Sequence, residues 1–323
     1  MRAIVAERYG PPDALELRDV DRPVIEDHQV LVRVHASSVN PAEWYRVTAP
    51  LFARLFGGGL RRPKIATVGA DVAGRVEAVG KDVKAFQPGD EVFGTSGASW
   101  AEYAPAREVR LVRKPANISF EEAAAVPIAA VTALQALRDK GRVRPGQKVL
   151  INGASGGVGT YAVQLAKVFG ADVTAVCSTR NVDLARSLGA DRVVDYTKED
   201  FTKLGERHDL MLDIAGSRPF RQFRGVLTTE ATVVVVGAKF PSNGGIGPLS
   251  HVIGTLVASL GKSQTAKFFI ARIEQDDLAL LAELLAAGKV RSVIDRRYEL
   301  SETADALRYL GEGHARGKVI ITM

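Results

Sequence analysis

Apolar and polar residues alternate over short stretches in the first 120 residues of this 323-residue chain. The stretches lie at residues 3–6, 29–36, 71–80 and 90–94. A period of two is typical of strands with one face in a core, and turn residues separate these stretches. The pattern predicts a compact β domain, whereas residues 41–63 lack the alternation and predict a helical turn plus a mobile loop.

From about residue 121 the pattern changes to helical stretches that alternate with apolar runs. Ser119 and Glu122 form a capping box that opens an Ala-rich helix, and Pro127 marks where this helix bends or restarts. Another helix is predicted at residues 276–287, before Gly288. Six runs read as parallel strands, at residues 148–152, 171–177, 192–195, 209–214, 232–237 and 267–270. The alternation predicts an α/β fold with a doubly wound six-stranded parallel sheet.

A glycine-rich turn joins the first of these six strands to a helix. Gly153, Gly156 and Gly159 recur at every third residue, and Gly156 with Gly157 still offers an approach without side chains. Such a turn lets the backbone approach a pyrophosphate at the helix N-terminus. Glycines also punctuate ordinary turns, so the interpretation as a dinucleotide-binding βαβ unit depends on the strand that follows at 171–177.

The end of the second strand is where NAD enzymes carry an acidic residue for the ribose 2′-hydroxyl. Here the chain reads Ser178, Thr179, Arg180 and Asn181, with no carboxylate. Their hydroxyls, guanidinium and amide are suited to a 2′-phosphate, so the sequence favours NADP(H). The alternative is that these four residues only cap the next helix, although capping and phosphate binding are compatible.

Composition and charge narrow the class of protein only slightly. The chain is 46% hydrophobic and 25% charged, which is typical of a globular protein, and it is long enough for two domains. The net charge is +6, but the basic residues are scattered, which argues against a nucleic-acid partner. Early charges and the absence of a bilayer-spanning apolar run lead us to expect a cytoplasmic protein without a membrane partner. The single cysteine, Cys177, excludes an intramolecular disulfide and is interpreted as a core residue.

Six groups of residues, spread over nearly the whole chain, carry a family resemblance. They are Asn40 with Glu43 and Tyr45, and the segments 69–74, 86–94, 123–127, 153–159 and 313–318. Together they resemble the medium-chain dehydrogenase/reductase superfamily and, within it, the zinc-independent quinone oxidoreductase branch. The resemblance implies a GroES-like domain at residues 1–120 and 290–323, and a Rossmann NADP(H)-binding domain at 121–289, with the cofactor in the cleft between them.

The resemblance also implies that no catalytic zinc is bound. Zinc-dependent relatives use a Cys, a His and a second Cys at positions matched here by Asn40, Ala70 and Ile128. The methyl and alkyl side chains of Ala70 and Ile128 offer no lone pair to a metal. Without a Lewis acid to activate an alcohol, an acceptor that is already electrophilic is expected, such as a quinone or an α,β-unsaturated carbonyl.

Roles for individual residues follow from the same resemblance. Asn40 and Tyr45 are the predicted catalytic residues, as donors to the acceptor carbonyl. Asn40 could instead be a turn residue before Pro41, and Tyr45 a packing residue beside Trp44. The residues predicted to bind NADP(H) are Thr132, Ser155, Gly156, Gly157, Val158, Ser178, Thr179, Arg180, Asn181, Tyr196, Gly237 and Lys318. Tyr196 has the alternative of a packing aromatic residue.

The expected activity is transfer of a hydride from NADPH to a small quinone or enone without zinc. Two alternatives stay open, an enoyl-thioester reductase and an NADPH-binding protein with little turnover. The first is marked by a preference for enoyl groups carried on thioesters. The second is marked by tight NADPH binding that no acceptor oxidises.

An apolar stretch at residues 248–270 predicts a homodimer. It ends in a predicted edge strand with Phe268, Phe269 and Ile270, which needs a cover. The resemblance implies a two-fold partner at this edge, with a helical face of Leu249, Val252, Ile253, Leu256, Val257 and Leu260 packing there. The alternative is that these residues pack against their own core or line the substrate cleft.

Overall fold

The computed structural model of the protein describes residues 1–48, 67–237 and 247–323. The strands of these residues are β1 Arg2–Val5, β2 Glu16–Asp19, β3 Gln29–Val39, β4 Asp71–Val79, β5 Glu91–Thr95, β6 Tyr103–Arg107, β7 Leu111–Arg113, β8 Lys148–Asn152, β9 Asp172–Cys177, β10 Arg192–Asp195, β11 His208–Asp213, β12 Leu227–Val235, β13 Thr265–Phe268, β14 Ile294–Glu299 and β15 Lys318–Thr322. Their α-helices are α1 Pro41–Thr48, α2 Phe120–Ala124, α3 Pro127–Gln135, α4 Gly157–Val168, α5 Val182–Ser187, α6 Phe220–Phe223, α7 Gly247–Ser259, α8 Gln275–Ala286 and α9 Thr303–Gly311. The predicted helical turn after Pro41 is α1, and the predicted loop at 49–63 lies outside the described residues.

Contacts within the chain define two compact units, Met1–Val131 with Arg272–Met323, and Thr132–Ala271. These limits differ from the predicted ones at 120/121 and 289/290. Helices α2 and α8 pack with the first unit, where Gln275 Nε2 donates to the Leu111 carbonyl at 2.9 Å and Ser292 Oγ donates to the Glu122 carbonyl at 2.7 Å. The change to a helical pattern at about residue 121 therefore comes before the end of the first unit at Val131.

The first unit is built on a seven-stranded sheet with the order β14-β15-β3-β4-β5-β7, and β6 also pairs with β3. Its long strand β3 buries Val30, Val32 and Val34 against Val72 and other apolar residues of its neighbours. The alternating pattern predicted β1, β3, β4 and β5, and the capping box of Ser119 is present at the start of α2. The last strand of the chain, β15, lies antiparallel to β3, so both ends of the sequence contribute to one sheet.

The second unit contains the predicted six-stranded parallel sheet, with the order β10-β9-β8-β11-β12-β13. This order places β8 and β11 at the centre, and the chain leaves them in opposite directions, which creates a topological switch point at their carboxyl ends. The central strand β8 is buried on both faces, as its unbroken apolar run requires. The doubly wound α/β fold is confirmed, and Cys177 is buried at the end of β9.

Among the described residues, no helix combines the length and the apolar character that crossing a bilayer requires.

Candidate functional site

The glycine-rich turn of the second unit leaves a helix N-terminus open to a ligand. Strand β8 ends at Asn152, Gly153 adopts a φ of +95°, and α4 starts at Gly157. The residue before the helix, Gly156, provides no side-chain cap for the first-turn N–H groups. Those groups have no partner within the helix. They can therefore bind an anion, and the predicted residues Ser155, Gly156, Gly157 and Val158 lie together at this point.

Close packing explains why this turn needs glycine at position 159. A Cβ atom at Gly159 would lie 2.1 Å from the Gly153 carbonyl oxygen, which is far inside contact distance. A Cβ atom at Gly156 would meet the same oxygen at 3.7 Å, which is an ordinary contact. Gly159 thus allows the helix to approach the strand, while Gly156 lines the face where a ligand would approach. The turn fits the pyrophosphate of a dinucleotide.

The loop after β9 is tied to the glycine turn by hydrogen bonds. Asn181 is buried, and its Nδ2 donates to Ser155 Oγ at 3.0 Å and to Ser178 Oγ at 3.1 Å. Asn181 thereby links two of the predicted phosphate contacts. Arg180 and Thr179 are exposed beside it. The loop therefore offers hydroxyl groups and a guanidinium on a backbone that a buried amide holds in place.

A carboxylate lies beside this loop, although residues 178–181 themselves contain none. Asp195 ends β10, opposite Cys177 of β9, and its Oδ2 accepts from Thr179 Oγ1 at 2.7 Å. The hydrogen bond from Thr179 lowers the pKa of Asp195, and Thr197 donates to Oδ1 from its backbone N and its Oγ1. The Nζ of Lys198 lies 3.6 Å from Oδ2. The acid comes from the next strand, β10, and so lies outside residues 178–181. Both oxygens of Asp195 already accept hydrogen bonds from this chain.

The other predicted cofactor residues of this unit lie at separate positions. Tyr196 follows Asp195 and is 58% exposed, which does not match the packing alternative. Thr132 lies on α3 and is half-buried. Gly237 follows β12, and its backbone N donates to the Asp213 carbonyl at 3.3 Å. A Cβ atom there would lie 2.6 Å from the Ile214 carbonyl oxygen, so this position requires a glycine for close backbone contact.

A buried carboxylate marks the switch point between β8 and β11. Asp213 Oδ1 accepts from Asn152 Nδ2 at 2.8 Å and from the Gly216 backbone N at 3.1 Å. Its Oδ2 lies 2.7 Å from Nε2 of His251, a residue of α7. The sequence analysis did not identify this group, because Asn152 and Asp213 read as strand residues and no motif surrounds His251.

In the first unit, Asn40 lies directly before α1, and its side chain does not cap the helix. It directly precedes Pro41, the first residue of the helix, and its backbone N donates to Glu43 Oε2 at 2.8 Å. Glu43 therefore has a structural role, since its carboxyl group accepts from the backbone N–H of the residue that precedes the helix. The Asn40 side chain bonds to Lys318 and Asp71, whereas the side chain of an ordinary turn asparagine bonds to the nearby backbone.

The Asn40 side chain belongs to a buried polar cluster of Asn40, Asp71, Lys318 and Ser38. Lys318 Nζ donates to Asn40 Oδ1 at 2.5 Å and lies 3.2 Å from Asp71 Oδ2. Asp71 Oδ2 also accepts from Asn40 Nδ2 at 3.0 Å and from Ser38 Oγ at 2.5 Å. The Ile128 backbone N donates to Asp71 Oδ1 at 2.9 Å. Lys318 thus contacts the predicted catalytic residue, and its contacts among the described residues include none of the other predicted cofactor ligands.

Glu43 is a second carboxyl group beside this cluster, and burial raises its pKa to about 7. The nearby Asp71 also raises the pKa, and the positive charge of Lys318 lowers it. Glu43 is therefore close to half protonated at neutral pH. Glu43 accepts a hydrogen bond from the Asn40 backbone N, so its role beside the cluster is structural.

Tyr45 lies on α1 next to Trp44, with the ring centroids 5.3 Å apart and the planes at 89°. Burial raises the pKa of Tyr45 to about 12, so its hydroxyl group stays protonated at neutral pH. Its packing against Trp44 agrees with the structural alternative, and its role toward an acceptor stays a prediction.

The cluster occupies positions that the resemblance matches to metal ligands in zinc-dependent relatives. Asn40 is bound to Lys318, Ala70 carries a methyl group, and Ile128 contributes its backbone N to Asp71. Within residues 1–48, 67–237 and 247–323, no group of three or more His, Cys, Asp or Glu side chains is arranged to hold a metal ion. Zinc independence stays a prediction.

Comparisons with known proteins match both parts of the chain. Residues 26–171 match the alcohol dehydrogenase GroES-like domain, and residues 188–321 match the zinc-binding dehydrogenase family. Quinone-oxidoreductase QR1, chloroplastic, of Triphysaria versicolor is 33% identical, over 99% of this chain and 98% of that protein. The NADPH-dependent alkenal/one oxidoreductase, chloroplastic, of Arabidopsis thaliana is 34% identical, over 99% of this chain and 79% of that protein.

The solved structure of the quinone oxidoreductase from Coxiella burnetii has the same fold, with a TM-score of 0.86 and 30% sequence identity. The match covers 100% of this chain and 99% of that one. These similarities agree with the GroES-like unit, the six-stranded parallel sheet and the glycine turn. The chain belongs to the medium-chain dehydrogenase/reductase family, in its quinone oxidoreductase branch, and it is an oxidoreductase.

Proposed function

We propose that this protein is an NADPH-dependent, zinc-independent oxidoreductase that reduces a quinone or an α,β-unsaturated carbonyl compound. The observation that carries the proposal is the N-terminus of α4, which has no side-chain cap and is approached past Gly156 and Gly157, which have no side chains. Such a site fits the pyrophosphate of a nicotinamide dinucleotide. The names of the quinone and alkenal/one oxidoreductase relatives support the acceptor class.

When bound, NADPH supplies the hydride, and the chain's own residues bind and orient the two reactants. The first-turn N–H groups of α4 would hold the pyrophosphate, and Ser178 and Arg180 would hold the 2′-phosphate, whereas Thr179 already donates its hydroxyl proton to Asp195. Asn181 keeps that loop in register with Ser155.

On the acceptor side, Asn40 donates a hydrogen bond to the carbonyl oxygen. Addition of hydride to an enone or a quinone places negative charge on that oxygen, so a fixed donor stabilises the transition state more than the ground state. Tyr45 stays a second candidate donor, because its hydroxyl group keeps its proton at neutral pH.

The direct test is NADPH oxidation by the purified protein with quinones, enones, aldehydes and enoyl thioesters in parallel. We expect turnover with the first two classes. Preference for the thioesters would identify an enoyl-thioester reductase, and tight NADPH binding without turnover would identify a binding protein. Either outcome contradicts the proposal.

Zinc independence is tested by removing metal from the protein and by measuring its metal content. Dialysis against a chelator should leave kcat unchanged, and elemental analysis should find no stoichiometric zinc, because Ala70 and Ile128 offer no side-chain lone pair. Loss of activity that zinc alone restores would overturn this part.

A cytoplasmic location stays a prediction, tested by fractionation of the source cells. "Chloroplastic" in the names of the two relatives describes those proteins.

A further inference from the structure

Lys318 is a charged side chain at the start of β15, and only 3% of that side chain is exposed. Burying an ammonium group is costly unless it is paired and hydrogen-bonded. The partners here are Asn40 Oδ1 and Asp71 Oδ2. The carboxylate balances the charge, and the amide oxygen takes a hydrogen bond from it. Apolar residues of similar volume in place of a buried ion pair often give equal or higher stability. Stability alone therefore does not explain why a charged pair surrounds this one amide.

These bonds fix which way the Asn40 amide faces. Its oxygen faces the ammonium group, and its nitrogen faces the carboxylate, since the reverse arrangement would set donor against donor and acceptor against acceptor. Of the two N–H groups on Nδ2, one bonds to Asp71, and the second has no partner among the described residues. Only 2% of Asn40 is exposed, so the one donor that remains for a ligand is this N–H, and the matching ligand group is a hydrogen-bond acceptor.

Asp71 is in turn held from several sides. The Ile128 backbone N binds one oxygen, and Ser38, Asn40 and Lys318 bind the other. The carboxylate is fully buried, so neither rotation nor solvent relaxes it. The positive charge of Lys318, which donates to the amide oxygen, also polarises the Asn40 amide and strengthens its remaining N–H as a donor.

We propose that Lys318 and Asp71 are positioning residues that hold Asn40 as a single oriented donor for the oxygen anion that develops on the acceptor. Lys318 thus serves the acceptor side rather than the cofactor. The inference rests on the proposed function for its final step, while the orientation of the amide stands by itself.

A double-mutant cycle tests the inference. Lys318→Met should lower kcat with an enone by about 10²-fold, because the donor loses its fixed geometry, and leave the Kd of NADPH within about twofold. In an Asn40→Ala background the same change should cost less than about twofold, because the residue through which Lys318 acts is gone. Lys318→Gln, which keeps a donor toward Asn40, should restore part of kcat. The matched control Lys289→Met removes an exposed lysine of the same unit and should leave all constants unchanged.

Independent, multiplied effects of Lys318→Met and Asn40→Ala would overturn the proposal, as would a tenfold or larger rise in the NADPH Kd with Lys318→Met.

A second measurement does not depend on turnover. The chain has five asparagines, so protein labelled with ¹⁵N on asparagine gives few side-chain amide pairs, and Asn40→Ala identifies one of them. The two Asn40 protons should resonate far apart, since one bonds to a carboxylate and the other does not. Lys318→Met should shift this pair and leave the other pairs unchanged. An unshifted Asn40 pair, or a shift of all pairs, would contradict the positioning role. The wild type could fail to oxidise NADPH with every acceptor tested while Lys318→Met still shifts the Asn40 pair. That result would refute the proposed function and leave the orientation of the amide intact.

Discussion

Glu43 carries a carboxyl group that folding moves from water into the interior, beside Asp71. Its pKa is about 7 in the folded protein and 4.5 when unperturbed, so the folded state binds the proton more tightly. The stabilisation from this difference is fully present below about pH 4.5 and is lost as the pH rises to about 7, and it amounts to roughly 3 kcal/mol.

Glu43→Gln should therefore remove this component of the pH dependence of stability. The amide oxygen of the glutamine keeps the bond from the Asn40 backbone N and carries no charge. Urea unfolding at pH 5 and pH 8 should show a smaller loss of unfolding free energy for Glu43→Gln than for the wild type. The exposed Glu312→Gln is the control. An identical pH dependence in Glu43→Gln and the wild type would contradict the buried, proton-binding carboxyl.

Arg180 should decide the preference for NADPH over NADH. It is exposed beside Thr179, whose hydroxyl group binds the ionised Asp195. Without the guanidinium, that carboxylate would face the 2′-phosphate with less opposing charge. Arg180→Ala should weaken NADPH binding about 10-fold and leave NADH binding nearly unchanged, as measured by calorimetry. Arg221→Ala, on α6, is the control, and an equal loss for both cofactors would refute the role of Arg180.

Single residues could be predicted from the sequence where a motif surrounds them. Asn40 is predicted in this way as a catalytic residue, which stays a prediction, and the structure adds that its side chain is bound to Lys318. Asp71 lies in a motif that the sequence analysis used only for the resemblance. Asp195 and His251 were missed, because each reaches its partner through the pairing of strands or the packing of a helix, and a local window contains neither.

At the scale of elements, the junction of β8 and α4 depends on glycines with two different functions. Gly159→Ala should destabilise the protein and abolish NADPH binding, because its Cβ atom would collide with the Gly153 carbonyl oxygen. Gly156→Ala should leave the melting temperature nearly unchanged and weaken NADPH binding, because it fits the fold but adds a side chain where the pyrophosphate approaches. Thermal unfolding with a cofactor titration separates the two effects. Equal melting temperatures for both variants would show that the close packing at Gly159 is unimportant.

Strands with a continuous apolar run, such as β8 and β9, could be predicted from the sequence almost to the residue. Strand β14 could not, since its sequence contains an aspartate, two arginines and a glutamate. It forms a strand because it lies parallel to the apolar β15 at the edge of the sheet. The run at 267–270 is shifted in the structure to Thr265–Phe268, because its pairing with β12 starts at Thr265.

At the scale of the whole molecule, a homodimer stays a prediction. Strand β13 lies at the edge of the six-stranded sheet. Large apolar side chains near this edge are exposed, namely Ile253, Val257, Leu260, Phe268 and Ile270. Two other residues of the predicted helical face, Val252 and Leu256, pack against the core of their own unit, so this face is divided between that core and solvent.

The double variant Val257→Lys and Ile270→Lys should be monomeric, whereas the wild type should be dimeric, in light scattering at micromolar concentration. Two buried lysines without partners would oppose association. Val24→Lys changes an exposed valine of the first unit and should leave the wild-type mass unchanged. A monomeric wild type, or a double variant that stays dimeric, would reject this interface.

The place of β15 in the sheet has a consequence for the order of synthesis. Residues 132–271 form the second unit without interruption, so the ribosome has made all of them before it reaches Lys318. The first unit cannot close at that stage, because β3 lacks the strand that pairs along residues 36–39 and Asp71 lacks its ammonium partner. Newly made chains stalled before residue 318 should therefore contain a protease-resistant second unit and a first unit that is still cut. Between release of the second unit and arrival of β15, the open edge of β3 is the part of the nascent chain that most needs a chaperone.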